Sequence, residues 1–191
     1  MTAAEVARVL EESDALLQGH FELRSGLHSG QYFQCANVLR YPRRAELLCR
    51  ALAGRVRAAP GDAARVEAVI APALGGILVG HEMARALDTP SIFAEKEEGR
   101  LVLRRFAIRR GERYLVAEDV ITRGGRVQET VDLVEAAGGV VTAIAALVDR
   151  SGGKARFRAP LFSLLEMEPV AYEPAACPLC RAGQPLRHPG S

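Results

Sequence analysis

One stretch constrains the fold more than any other part of this 191-residue chain. It reads Tyr-Leu-Val-Ala-Glu-Asp-Val-Ile-Thr-Arg-Gly-Gly-Arg and occupies positions 114–126. Its first four residues are apolar and partly β-branched, which predicts a strand buried on both faces. After Gly124 and Gly125, valines recur at helical spacing, so a helix is expected over 125–137. A buried strand that turns through glycines into a helix is typical of a parallel α/β fold.

The glycine turn also predicts an anion site. Backbone N–H groups at a helix N-terminus have no intrahelical partner, and the helix dipole adds partial positive charge there. Thr122 to Arg126 are therefore expected to hold phosphate. Glu118 and Asp119 come just before this turn and would repel phosphate, so sugar hydroxyls or Mg²⁺ suit them better. A phosphorylated ribose offers both partners, whereas the alternative is that the two acids merely cap the helix.

Strands and helices alternate through the rest of the chain. Strands are predicted at 66–71, 91–94, 114–120 and 140–148, and helices at 43–57, 77–87 and 125–137. This alternation predicts an α/β fold whose central, mostly parallel sheet is flanked by helices and binds ligands at the carboxyl ends of its strands. The charged segment 94–111, with a turn at Gly99, is expected to form a mobile β-hairpin.

Length and charge favour a single enzyme domain over 1–191. It is divided into an N-terminal cap (1–40), an α/β core (41–170) and a C-terminal tail (171–191). The net charge of +2, with basic and acidic residues interleaved, argues against nucleic-acid binding. The sequence has no apolar run of membrane-spanning length and no leader pattern, so a cytoplasmic location is expected. It also lacks the Gly-rich motifs of P-loop ATPases and dinucleotide-binding proteins.

The cysteines and histidines predict no metal site built by protein side chains alone. Cys35 and Cys49 are expected to be reduced thiols of the core. Cys177 and Cys180 have the spacing of half a zinc site, but only His188 is close to them in sequence. For this cysteine pair three alternatives stay open. They are a disulfide between the two cysteines, a tail without a function, and a metal shared across a dimer.

The stretch 114–126 resembles the signature of type I phosphoribosyltransferases, which bind phosphoribosyl pyrophosphate (PRPP). The resemblance implies the type I fold, with Glu118 and Asp119 on the ribose hydroxyls and Mg²⁺ bound with PRPP near them. Catalysis is assigned to Lys96, Glu118 and Asp119. The PRPP-binding set is Arg24, Leu74, Gly75, Lys96, Arg100, Glu118, Asp119, Val120, Ile121, Thr122, Arg123, Gly124, Gly125 and Arg126. Arg126 stands where the family commonly has a hydroxyl residue, and whether Arg123 and Arg126 contact the phosphate stays open.

A second stretch, residues 21–33, resembles the N-terminal signature of the orotate phosphoribosyltransferase family. This implies transfer of ribose 5-phosphate from PRPP to orotate, giving orotidine 5′-monophosphate and pyrophosphate in pyrimidine synthesis. Tyr32 and Phe33 would cover the base, and Arg150 would bind its carboxylate. Thr122 would also bind orotate. The family also implies a homodimer. The alternatives are a phosphoribosyltransferase for another base and a PRPP-binding regulator without catalysis.

Overall fold

The computed structural model describes residues 1–23, 25–168 and 170–189, which form nine strands and six α-helices. The strands are β1 (Leu16–Glu22), β2 (His28–Phe33), β3 (Ala68–Pro72), β4 (Ser91–Glu97), β5 (Arg100–Val102), β6 (Arg113–Ile121), β7 (Val140–Asp149), β8 (Leu161–Glu166) and β9 (Ala171–Tyr172). The helices are α1 (Ala3–Glu11), α2 (Ala36–Leu39), α3 (Pro42–Arg57), α4 (Gly75–Leu87), α5 (Gly125–Ala136) and α6 (Pro178–Arg181). No helix in those ranges is both long enough and apolar enough to cross a membrane.

The central sheet has six strands in the order β5-β4-β3-β6-β7-β8. Every neighbouring pair is parallel except β4 and β5, which are antiparallel. The prediction of an α/β fold with a central, mostly parallel sheet is therefore confirmed. The predicted elements agree with the observed ones to within three residues at each end. Strands β8 and β9 were not predicted.

Two apolar layers hold the helices against this sheet. Side chains alternate along β6, so Leu115 and Ala117 face the layer that contains α1, α3 and α4. Tyr114 and Val116 face the opposite layer, which contains α5. All four are at most 1% exposed, as expected for a strand covered by helices on both faces. The carboxyl end of β6 is thus held rigidly between two packed layers.

The predicted hairpin is formed by β4 and β5. Glu97 pairs with Arg100, so the loop contains only Glu98 and Gly99. Both residues have a positive φ, 46° and 89° respectively. This is the backbone conformation that a two-residue hairpin loop of type I′ requires.

A second, three-stranded sheet forms the N-terminal cap, in the order β1-β2-β9. Strand β9 is antiparallel to β2 through the pairs His28–Tyr172 and Ser29–Ala171. Further along the tail, the N–H of Arg187 donates to the carbonyl of His20 at 2.9 Å. The C-terminal tail therefore packs against the cap at more than one point.

Candidate active site

The two acids of the opening motif lie at the carboxyl end of β6. Glu118 is only 8% exposed, and its Oε1 accepts a hydrogen bond from the backbone N–H of Asp119 at 3.0 Å. The Oδ1 of Asp119 accepts one from the N–H of Val120 at 2.8 Å. These bonds orient both carboxylates at the point where the strand leaves the sheet.

Burial raises the pKa of Glu118 well above its ordinary value. The nearby charge of Asp119 raises this pKa further, while the hydrogen bond from the Asp119 backbone opposes the shift. Glu118 therefore retains a proton at a higher pH than an exposed glutamate does. A neighbouring pair of this kind can both donate to and accept from ligand hydroxyls.

The start of α4 lies directly against these acids. A Cβ atom at Gly75 would lie 2.9 Å from Oδ2 of Asp119, and one at Gly76 would lie 3.1 Å from Oε1 of Glu118. Only glycine lets the helix approach this closely. The loop that joins β3 to α4 is thus adjacent to the acid pair, while the side chain of Leu74 points outward and is 84% exposed.

The glycine turn of the motif opens α5, as the sequence predicted. Gly124 is the N-cap and has a φ of 77°, and no side chain caps the helix. A Cβ at Gly124 would lie 2.8 Å from the ring of Phe157. A cavity of about 380 Å³ lies over this turn, lined by Glu118 to Val127 and by Glu129. Uncapped N–H groups facing a cavity are suited to bind an anion.

A second cavity of about 680 Å³ adjoins the first. The two share four lining residues, which are Asp119, Val120, Thr122 and Arg123. The other lining residues of the second cavity are Leu23, Ser25, Tyr32, Phe33, Gln34, Cys35 and Arg150. The cap therefore supplies one wall of a site whose other wall is the end of β6.

Arg150 and Arg123 both line this second cavity, and Arg150 lies on the side of the cap. It follows β7, and its guanidinium carbon lies 4.8 Å from the centre of the Phe33 ring. Burial lowers its pKa, and within the described part of the chain its Nε atom is buried without a hydrogen-bond partner. A partly dehydrated guanidinium with an unused donor favours a planar anion such as a carboxylate.

Comparison with known proteins identifies the family. Residues 36–179 match the model of the phosphoribosyl transferase domain. The chain is 47% identical over its whole length to the orotate phosphoribosyltransferase of Carboxydothermus hydrogenoformans, covering 99% of that protein. It is 48% identical, with the same coverage, to the orotate phosphoribosyltransferase of Heliobacterium modesticaldum. The chain belongs to the orotate phosphoribosyltransferase family.

Solved structures agree with this assignment. The crystal structure of orotate phosphoribosyltransferase from Aeropyrum pernix aligns with a TM-score of 0.69 at 27% identity, covering 84% of this chain and 93% of that one. Adenine phosphoribosyltransferase from Thermoanaerobacter pseudethanolicus aligns at 0.65 with 19% identity, covering 83% of this chain and 99% of that one. The latter likeness concerns the fold alone, so the fold by itself does not select the base.

The basic residues of the hairpin lie apart from both cavities. Lys96 and Arg100 are exposed and line neither cavity, and they form no ion pair within the described ranges. Arg104 and Arg105, by contrast, pair with Glu97 at 3.8 Å and Glu95 at 3.1 Å. The predicted role of Lys96 and Arg100 stays a prediction.

Two of the motif arginines differ in their surroundings. Arg126 forms an ion pair with Glu129 at 3.2 Å, and the other carboxylate oxygen of Glu129 accepts from the N–H of Leu101 at 2.6 Å. Arg126 is thus tied to the contact between α5 and the hairpin. Arg123 lines both cavities. Arg24, also expected to bind PRPP, lies outside the described residues.

Sequence reasoning missed the position of Cys35. It was expected to be an ordinary core thiol, and it is buried, but it also lines the second cavity. Burial raises the pKa of this thiol well above its ordinary value, and the charge of Asp119 adds to the shift. Its place directly after β2 could have suggested this location, because Tyr32 and Phe33 were already assigned there.

His188 is close to the tail cysteines in sequence, but other histidines contact them in the structure. His188 pairs with Glu22 at 3.2 Å. Two other histidines, His20 and His28, instead lie against Cys177 and Cys180.

Proposed function

We propose that this protein transfers the ribose 5-phosphate group of PRPP to orotate, yielding orotidine 5′-monophosphate and pyrophosphate for UMP synthesis. The observation that carries this proposal is the pair of adjoining cavities that share Asp119 and Thr122. A ribose lying at the shared residues would direct its 5′-phosphate to the glycine turn and its C1 atom toward the cap. The family relationship favours orotate as the base.

On the phosphate side, the N–H groups from Thr122 to Arg126 bind the 5′-phosphate. Glu118 and Asp119 bind the ribose hydroxyls, and their carboxylates are already oriented by backbone hydrogen bonds. Mg²⁺ fits the same place, because hard cations prefer carboxylate and phosphate oxygens. When bound with PRPP, it would neutralise charge on the departing pyrophosphate.

On the base side, Arg150 binds the orotate carboxylate with its planar fork of donors. Tyr32 and Phe33 cover one face of the pyrimidine ring, and Phe33 also holds the guanidinium of Arg150 in place. In the reaction, the bond from C1 to the pyrophosphate oxygen breaks and a bond from C1 to the ring nitrogen of orotate forms. Pyrophosphate leaves with the electron pair of the broken bond, and the ring nitrogen loses its proton, which an oxygen of the departing pyrophosphate can accept.

The hairpin supplies cations to the leaving group. Lys96 and Arg100 are free of acidic partners among the described residues, so they are available to bind pyrophosphate when the hairpin moves toward the site. Closure of such a loop also excludes water from a reaction that passes through an oxocarbenium-like state. By binding the departing pyrophosphate, Lys96 would take part in catalysis.

The proposal includes a homodimer in the cytoplasm. Large apolar side chains are exposed at Leu47 on α3 and at Leu78 on α4. A second copy of the chain would cover them. Light scattering coupled to gel filtration measures the mass directly, and a monomer at micromolar concentration would contradict this part of the proposal.

One assay tests the reaction and both alternatives. The full chain is incubated with PRPP and Mg²⁺, and loss of orotate, adenine, hypoxanthine or uracil is followed together with release of pyrophosphate. We expect turnover with orotate and none of comparable rate with the other bases. Turnover with a different base would replace the assigned substrate. PRPP binding without turnover of any base would show a regulator rather than an enzyme.

A further inference from the structure

Four side chains from both ends of the sequence meet at one point outside the active site. They are His20 on β1, His28 on β2, Cys177 at the start of α6 and Cys180 within it. The Nε2 of His20, the Nδ1 of His28 and the two Sγ atoms all lie within 4.8 Å of one another. We propose that these residues form a Cys₂His₂ site for a structural zinc ion that fastens the C-terminal tail to the cap.

Four of the six separations between ligand atoms are close to those of a tetrahedral zinc site. With Zn–N of about 2.0–2.1 Å and Zn–S of about 2.3 Å, ligand atoms should lie about 3.3 Å (N to N), 3.6 Å (N to S) and 3.8 Å (S to S) apart. The observed distances from His20 Nε2 are 3.6 Å to Cys177 Sγ and 3.7 Å to Cys180 Sγ. From His28 Nδ1 to Cys180 Sγ the distance is 3.3 Å, and the two nitrogens lie 2.9 Å apart. The other two separations, from Cys177 Sγ to His28 Nδ1 and to Cys180 Sγ, are within 4.8 Å, so shifts of at most about an ångström would admit the ion.

The surroundings prepare the ligands for a metal. The Nδ1 of His20 lies 2.9 Å from the backbone carbonyl of Gln184, which can only accept, so Nδ1 carries the proton. In the neutral ring the lone pair is then on Nε2, which faces the other three ligand atoms. A metal-binding histidine commonly has such a carbonyl partner on its other nitrogen. His20, His28 and Cys177 are each at most 6% exposed, so water has little access to three of the ligands.

The ligand set selects the metal. Two thiolates and two imidazoles in a closed four-ligand arrangement are typical of structural zinc, whereas hard cations such as Mg²⁺ require oxygen ligands. Binding requires both thiols to lose their protons, and His28 must carry its proton on Nε2. The cysteine pair alone would be only half of a site, and the cap supplies the other half.

The site would act on the base-binding wall through β2. His28 begins this strand, and Tyr32 and Phe33 end it at the second cavity. Elsewhere in the described ranges, the tail contacts the cap through the two-residue strand β9, the hydrogen bonds around Arg187 and the pair His188–Glu22 at the surface. Zinc would therefore be the strongest link between tail and cap, and its removal should weaken orotate binding more than PRPP binding.

The decisive experiment measures metal in the protein purified without a histidine tag under reducing conditions. We expect about one zinc per chain by inductively coupled plasma mass spectrometry. Replacement of zinc by Co²⁺ should give the visible absorption bands of a tetrahedral ion together with a thiolate charge-transfer band. A protein that remains zinc-free after incubation with Zn²⁺, and that gives no such Co²⁺ bands, would overturn the proposal. This measurement needs no variant and does not depend on how a variant folds.

Variants then assign the ligands. The double substitution Cys177→Ser and Cys180→Ser should abolish stoichiometric zinc, while Cys49→Ala and His188→Gln, at a thiol and a histidine outside the site, should retain it. His28→Cys should keep the metal but change the Co²⁺ spectrum toward that of a three-sulfur site. Unchanged zinc content in the double variant would overturn the assignment. Because orotate turnover is measured separately, loss of the zinc proposal would leave the proposed reaction untouched.

Discussion

Removing the guanidinium of Arg150 should weaken orotate use selectively. Hydrogen bonds between charged groups contribute about 1.5–3 kcal/mol, which corresponds to about a 10- to 150-fold rise in the KM for orotate in Arg150→Ala. The structure favours the upper part of this range. Burial already lowers the pKa of Arg150, and its buried Nε has no partner in the described ranges, so little further dehydration is needed when a carboxylate binds.

The same substitution should change stability little. It loses the contact with the Phe33 ring at 4.8 Å, worth about 0.5–2 kcal/mol, but it also removes a buried donor that lacks a partner. The two effects oppose each other. Arg150→Lys keeps the charge but loses the planar fork, so it should recover only part of the orotate affinity.

The assay measures steady-state turnover, first with orotate varied at saturating PRPP and then with PRPP varied at saturating orotate. Arg158→Ala is the matched control, because Arg158 is exposed and lines neither cavity. An unchanged KM for orotate in Arg150→Ala would remove this residue from the base site. An equal rise in the KM for PRPP, together with a lower melting temperature, would show that the substitution damages the fold instead.

Three further predictions concern the phosphate side. Gly124→Ala should destabilise the protein by more than the roughly 1–2 kcal/mol typical of a left-handed non-glycine residue, because its Cβ would also lie 2.8 Å from the Phe157 ring. Chemical denaturation measures the free energy of unfolding. Gly153→Ala is the control, because Gly153 also has a positive φ but a Cβ there would meet no atom within 4 Å. Equal losses of unfolding free energy in the two variants would refute the steric argument. Lys96→Ala should lower kcat more than it raises the KM for PRPP. Arg104→Ala is the control and should change neither constant, because Arg104 is paired with Glu97. Equal effects of Lys96→Ala on both constants would show that the lysine only binds PRPP and does not stabilise the transition state. The pKa of Glu118 is raised in the folded state, so the wild type should lose stability as pH rises above the ordinary value of 4.5. Glu118→Gln should lack this loss and melt higher at neutral pH while using PRPP poorly; identical melting curves against pH would refute the burial argument.

The phosphate half of the site could be predicted because its signal is local. A buried strand, two acids and a glycine turn occupy thirteen consecutive positions, and the turn dictates where the helix begins. The parallel sheet follows from the same alternation. Strand β9 could not be predicted, since two residues carry no periodic pattern and this strand is defined by its pairing with β2.

The histidine and cysteine cluster was missed for a related reason. His20 and Cys177 are separated by 157 positions, so their contact depends on how the tail packs. The register of the first hairpin also shifts between Gln18 and Phe21, where His20 lies. Sequence spacing alone does not predict such a bulge. The contact between His20 and His28 depends on the pairing of β1 with β2, which the sequence analysis did not predict.

The two walls of the active site differ in what holds them. The acids and the glycine turn extend from β6, which is buried between two helical layers and paired on both edges. The base wall instead belongs to a three-stranded sheet whose third strand has only two residues. A sheet this small buries too little apolar surface to be stable by itself, so it depends on what packs against it. Leu16, Phe33 and Cys35 pack into the main core, and the tail adds its contacts at the other end of β2. The base side therefore depends on two supports, the main core at the Phe33 end of β2 and residues 171–189 at its His28 end, while the phosphate side depends on the core alone.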